Sequence, residues 1–175
     1  RLLEYLRDHM RGVDLGDPVS VEQFTHGQSN PTYLLTTASG QRTVMRKQPP
    51  GKLLRGAHDM AREFRIMRAL RGIMPVPAVH LLCTDKDVIG TDFFVYEFVD
   101  GRQFVDIALP QVEEPAERHD IYLNMASTLA RLHSIDADAT GLSEISNADP
   151  RRFAERQVTV WTKQYRKSET AGGPH

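Results

Sequence analysis

The stretch Gln41-Arg42-Thr43-Val44-Met45-Arg46-Lys47-Gln48 has the composition and alternation of a β-strand. Successive strand side chains face opposite ways, so Val44 and Arg46 share one face while Met45 and Lys47 share the other. From a regular strand only one of the two bases can point into a cleft, and the other snorkels to water from the strand end. Working back along the chain, Ala38-Ser39-Gly40 is a turn and residues 32–37 (Thr-Tyr-Leu-Leu-Thr-Thr) are rich in strand formers. The run His26-Gly27-Gln28-Ser29-Asn30-Pro31 is a second turn, and residues 19–25 carry Val19, Val21 and Phe24 as a short strand. Three strands joined by short turns predict an antiparallel meander.

Forward of the strand, Pro49-Pro50-Gly51 ends it. Residues 58–70 then place Met60, Phe64, Met67 and Leu70 at helical spacing, with Gly72 as the cap beyond the end. Residues 79–83 and 91–99 read as two more strands around a turn at 85–90, and Asp100-Gly101 closes the unit. Residues 1–11 form a helix on Leu2, Leu3, Leu6 and Met10. After residue 101 the pattern changes to a proline-containing connector (102–116), a helix at 117–135 with Ile121, Met125, Leu129 and Leu132 on one stripe, a polar loop at 136–150 and a polar helix at 151–168. The expected class is α+β: a five-stranded antiparallel sheet within residues 19–99 with one packed helix, followed by helices. Two parts are expected, 1–101 and 102–175.

The composition permits this. The chain has 175 residues, 40% hydrophobic and 26% charged, which excludes a fibrous or wholly disordered chain. Lys and Arg number 22 against 23 Asp and Glu, so no basic excess points to nucleic acid or an anionic membrane as partner. A single cysteine, Cys83, cannot close an internal disulfide and suits a reducing, cytoplasmic setting. No apolar run approaches the roughly 18 residues that would span a bilayer.

Three features carry chemistry. The Gly27-Gln28-Ser29-Asn30 turn can bring backbone N–H groups and polar side chains to a phosphate, although the same residues also favour an ordinary hairpin. Glu63 lies along the apolar stripe of its helix, where a carboxylate needs a cation, and a base on the neighbouring strand would supply one. The run Phe93-Phe94-Val95-Tyr96-Glu97-Phe98-Val99-Asp100-Gly101 is an apolar strand entering a turn where the composition changes, a place whose backbone edge can read a planar base. Polar hairpin, basic strand, Glu-bearing helix, two strands, connector and helices follow the order of the small lobe of a eukaryotic-like kinase.

On these residues the sequence resembles the aminoglycoside phosphotransferase and choline kinase family, in the branch related to the kinase-like domain of some acyl-CoA dehydrogenases. The matching text includes Phe24-Thr25-His26-Gly27-Gln28-Ser29-Asn30-Pro31-Thr32-Tyr33, Val44-Met45-Arg46-Lys47-Gln48-Pro49-Pro50-Gly51, Arg62-Glu63-Phe64-Arg65, Tyr96-Glu97-Phe98-Val99-Asp100-Gly101, Leu129-Ala130-Arg131-Leu132-His133-Ser134 and Phe153-Ala154-Glu155-Arg156-Gln157. The resemblance covers nearly the whole chain and implies a protein-kinase-like fold, ATP and Mg as cofactors, and a small molecule bearing a hydroxyl as acceptor. It implies that Gly27, Gln28, Ser29 and Asn30 cover the nucleotide and that Glu63 pairs with the base that contacts the phosphates. Arg46 stands where the family often has lysine. Either Arg46 takes that role or Lys47 does after a strand irregularity, and Arg46 fits without a bulge. The Tyr96 carbonyl and Phe98 N–H would meet the adenine edge, with Val95 behind it.

The family's His-Gly-Asp catalytic run does not occur in these 175 residues. The run His133-Ser134-Ile135-Asp136 ends the first large-lobe helix and reads as structural. The resemblance therefore implies an N-terminal portion that holds nucleotide contacts, with the catalytic base and the metal ligands outside it. The alternatives are a non-catalytic kinase-like binding domain and an α+β interaction protein. The helices after residue 115, lacking partners, would expose apolar surface through which the chain self-associates.

Overall fold

A computed structural model of the chain describes residues 1–10, 19–25, 29–51, 57–146 and 152–168. The elements are α1 (Leu2–His9), β1 (Val19–Gln23), β2 (Thr32–Thr37), β3 (Arg42–Lys47), α2 (Met60–Leu70), β4 (Val79–Cys83), α3 (Lys86–Ile89), β5 (Phe93–Glu97), α4 (Pro115–His133), α5 (Leu142–Ser146) and α6 (Phe153–Ser168). The five strands form one sheet in the order β1-β2-β3-β5-β4, antiparallel throughout. The expected meander, the two later strands and the packed helix are all present.

β3 is the central strand. It pairs Tyr33 with Met45 on one side and Met45 with Val95 on the other, without a break in register. On the face that carries Met45, the buried residues Leu35, Met45, Cys83, Phe93 and Val95 meet Leu6 and Met10 of the N-terminal helix region. Leu6, Phe93 and Val95 are fully buried. α1 is thus one wall of the core. On the opposite face α2 lies over β4 and β5, where the Phe64 and Phe94 rings meet edge to face at 6.3 Å.

Local chemistry sets the element ends. Gly40 turns β2 into β3 with φ +83°, a conformation an L side chain resists. α2 begins at Met60, two residues later than the sequence predicts, because Asp59 takes the cap position and its side chain accepts the Arg62 N–H at 2.9 Å. Gly72, with φ +78°, follows its end as expected. The predicted turn at 85–90 holds one helical turn, α3, capped by Asp85 and stopped by Gly90 at φ +82°. The polar loop at 136–150 likewise contains α5.

By internal contacts the chain divides into two compact units, Arg1–Asp136 and Ala137–His175. The sheet, α1 to α4 and the segment after β5 all belong to the first. The boundary expected near Gly101 rests on the change of sequence pattern there, and the compact division by contacts follows α4. α4 buries none of its residues, and Met125 and Leu129 are 62% and 52% exposed. No helix among the described residues is long and apolar enough to cross a membrane.

Tyr5 reports on the α1 wall. Its ring stacks on His9 at 4.0 Å and meets Phe93 edge-on at 6.2 Å. A hydrogen bond to the Cys83 side chain, with burial second, pushes its phenol up from 10.0 to about 12. The unfolded chain releases this proton near pH 10, before the folded protein does, so stability falls as pH rises from about 10 toward 12. Denaturation across that range should show the loss in the wild type and a smaller one in Tyr5→Phe.

Candidate functional site

The site grows from the end of β3 that carries Arg46. Regular alternation turns Arg46 away from the Met45 core, onto the face that α2 covers. There Arg46 Nε donates to Glu63 Oε2 at 2.9 Å, and Arg46 Nη1 donates to Thr32 Oγ1 at 3.3 Å. Thr32 lies opposite Arg46 on β2, a cross-strand pair that the register brings together. Two of the guanidinium's five donors are therefore taken within the protein. Both partners of the ion pair keep about a third of their side chains in solvent, 30% for Arg46 and 34% for Glu63. Lys47 makes no ion pair among the described residues, and β3 has no irregularity that would turn it toward Glu63. Of the two bases left open by the sequence, Arg46 is the one paired with Glu63.

The polar hairpin is split by the structure. Gly27 and Gln28 lie outside the described residues. Ser29 is exposed, while Asn30 is buried at 6% exposure and turns its amide inward. Asn30 Nδ2 donates to Glu63 Oε1 at 3.2 Å, and Asn30 Oδ1 meets His58 Nδ1 at 2.6 Å. The hairpin's end, α2 and β3 thus share one hydrogen-bonded cluster. Sequence reasoning missed His58. Its signal, a non-glycine residue with φ +56° just before a helix cap, exists only in three dimensions.

At the other end of the sheet, β5 leads to Phe98 and Asp100. The Arg42 guanidinium sits 4.2 Å from the centre of the Phe98 ring, and its Nη2 pairs with Asp100 at 3.1 Å. Phe98 lies just past β5, whose last ladder pair is Glu97 with Thr43. Tyr96 shares a face with Val44, its partner across the ladder. Its phenol is held up from its usual pKa first by burial, with Arg46 pulling it down and Glu63 pushing it up. Val95 does not stand behind this region as expected. It is fully buried in the opposite-face core with Leu6 and Phe93, because one residue's shift along a strand reverses the face. Val44, Phe94 and Tyr96 share the Arg46 face with Thr32.

Known proteins share the sequence pattern and fold that carry this cluster. The Phosphotransferase enzyme family matches residues 20–172. The chain belongs to that family. Its fold is the kinase-like one: a solved Ralstonia eutropha protein, named by assignment as an aminoglycoside phosphotransferase, superposes with a TM-score of 0.74 at 42% identity. That match covers 98% of this chain and 48% of the solved one. An Arabidopsis thaliana protein named as an acyl-CoA dehydrogenase is 45% identical over 99% of the chain, and mouse acyl-CoA dehydrogenase family member 10 is 44% identical over 99%. The chain spans 21% of the plant relative and 16% of the mouse one, so these are much longer proteins.

The Arg46–Glu63 pair should contribute little to stability, because both groups remain partly in water. A denaturation double-mutant cycle with Arg46→Gln and Glu63→Gln should give a coupling of about 0.5–1 kcal/mol. A coupling of several kcal/mol would mean that the pair holds the fold together and is not free to serve a ligand.

Proposed function

We propose that this chain is the nucleotide-binding part of an ATP-dependent small-molecule kinase, whose intact form transfers the γ-phosphoryl group to a substrate hydroxyl. The observation that carries the reading is the 2.9 Å pair between Arg46 on β3 and Glu63 on α2. Glu63 fixes the guanidinium at Nε and Thr32 steadies it at Nη1, leaving the remaining donors for phosphate oxygens. Arginine suits that task because its planar fork can engage two oxygens at once. The adenine edge would lie along Tyr96 and Phe98, with Arg42 holding the Phe98 segment in place. In the transfer itself the acceptor hydroxyl gives its proton to a base that the resemblance puts outside these residues, and its oxygen bonds to the γ-phosphorus as the bond to the β-phosphate bridging oxygen breaks, releasing ADP. The protein contributes positioning and positive charge to that step.

Magnesium belongs to the same reading, as the general partner of ATP. Among the described residues no group of three or more His, Cys, Asp and Glu could hold a metal ion, so the described chain does not fit as its site and no step is assigned to it. The acceptor class to assay first is a hydroxyl-bearing acyl-CoA, since the relatives are named as acyl-CoA dehydrogenases, with an aminoglycoside as the comparison. A cytoplasmic setting rests on the free, buried Cys83. Arg46 in the place where the family resemblance leads one to expect lysine favours a second reading, a kinase-like domain that binds nucleotide without transfer.

Calorimetry on the intact protein separates these possibilities. Arg46→Ala should weaken Mg-ATP by about 10- to 100-fold, the equivalent of a charge-assisted hydrogen bond worth about 1.5–3 kcal/mol, and leave adenosine nearly unchanged. Equal losses for both ligands would show that Arg46 supports the fold. Failure of the wild type to bind either would leave an interaction domain without a nucleotide site.

Self-association follows from the exposed α4 stripe. Sedimentation velocity on the 175-residue chain should show concentration-dependent association, abolished by Met125→Glu with Leu129→Glu. A wild-type chain that stays monomeric over a hundredfold concentration range would count against it.

A further inference from the structure

The carboxylate of Glu63 is held at both oxygens. Oε2 accepts from Arg46 Nε, and Oε1 accepts from Asn30 Nδ2. A carboxylate bonded at one oxygen can still rotate about its last torsion, but one bonded at both has its plane fixed. Asn30 is itself buried, so its amide is orientated by its partners and not by water. An ionised carboxylate only accepts, so the atom facing Glu63 must be the amide nitrogen. The amide oxygen is then the atom facing His58, and the 2.6 Å contact requires His58 to carry its proton on Nδ1.

His58 is in turn fixed by the strand that bears Arg46. Its φ of +56° is uncommon for a residue with a side chain, and its carbonyl accepts from Gln48 Nε2 at 3.0 Å. Gln48 directly follows β3, two residues after Arg46. Asn30 also anchors Thr32, whose hydroxyl donates to the Asn30 carbonyl at 3.1 Å while accepting from Arg46. Among the described residues, both hydrogen-bond partners of the Arg46 guanidinium, Glu63 and Thr32, thus lead back to Asn30, and Asn30 leads to His58.

We infer that His58 and Asn30 are positioning residues for Arg46: the His58 Nδ1–H orientates the Asn30 amide, which fixes the Glu63 carboxylate that aims the guanidinium. The inference rests on the reading of Arg46 as the phosphate contact and extends it to two residues that touch no ligand. It gives Asn30 a different task from the ligand contact expected of the hairpin. It also makes Asn30 and the ion pair one mechanical unit, so Asn30 cannot shift without disturbing the arginine's aim.

Two substitutions at residue 58 separate the donor from the backbone strain. His58→Gly accepts the positive φ and removes the donor. His58→Asn tolerates the same φ, and its Nδ2 takes the place of the imidazole Nδ1. In the intact protein, calorimetry should show Mg-ATP weakened about two- to tenfold by His58→Gly, the range one hydrogen bond spans, with adenosine unchanged. His58→Asn should restore Mg-ATP to within about twofold of wild type, as the same donor is back in place. A long-range proton–nitrogen spectrum of the wild type, assigned with His58→Asn, should show the His58 proton on Nδ1, and this reading stands even if His58→Gly fails to fold. A proton confined to Nε2 overturns the inference. So does a His58→Gly variant that binds Mg-ATP as the wild type does, one that loses Mg-ATP and adenosine alike, or one whose loss His58→Asn does not repair. In each of those cases the nucleotide reading survives. A wild type that binds neither ligand overturns both.

Discussion

Everything at the candidate site depends on the fixed alternation of β3. The strand is hydrogen-bonded on both sides, to β2 and to β5, and its Met45 is locked into the apolar core beneath α1. A slip of one residue would carry Met45 out of that core and a charged side chain into it, a change the buried face forbids. The direction of Arg46 is therefore not an independent property of the arginine. It follows from the burial of its neighbour. Hydrophobic packing on one face of the sheet selects which base is presented on the other, and the fully buried Phe93 and Val95 on β5 enforce the same choice from across the ladder.

The polar cluster built on that face is intermediate in character. A deeply buried ion pair would carry a desolvation cost that its attraction need not recover, and a fully exposed one would be screened. Arg46 and Glu63 lie between these limits, while the neutral groups about them, Thr32 and Asn30, each add one hydrogen bond to the pair. Neutral partners orientate a charge without cancelling it. That distinction suits a guanidinium that must keep positive potential for something else.

The sequence makes much of this legible because its signals are local. Alternation and turn residues place β2 and β4 with their final bounds, and the 3–4 spacing of Met60, Phe64, Met67 and Leu70 places α2 to within two residues. A carboxylate on an apolar stripe demands a cation, which leads from Glu63 to β3. What stays hidden is decided by tertiary contact. The inward turn of Asn30 depends on Glu63 and His58 arriving from distant elements, and a polar residue in a turn carries no sign of which way it will face. The misplacement of Val95 comes from treating β5 as a single apolar wall when consecutive residues serve opposite faces. Single-turn helices such as α3 and the five-residue α5 are too short for periodicity to reveal. The difference between the lobe boundary and the compact division has a similar origin: α4 groups with the sheet-bearing unit through contacts that no composition shift announces.

The far end of α2 is also tied down. Arg131 of α4 donates through Nη2 to the Ile73 carbonyl, just past the helix's last turn, where the Leu70 carbonyl accepts from Ile73 and Met74. With both ends held, the tilt of the helix is what fixes the place of Glu63. Seven residues separate Leu70 from Glu63, so at 1.5 Å per residue the lever arm is about 10 Å, and a tilt of about 10° displaces the carboxylate by nearly 2 Å. That travel is enough to part a 2.9 Å contact. The distance between the tied end and the carboxylate therefore sets how closely the tilt of α2 must be held for the Arg46 contact to stay closed.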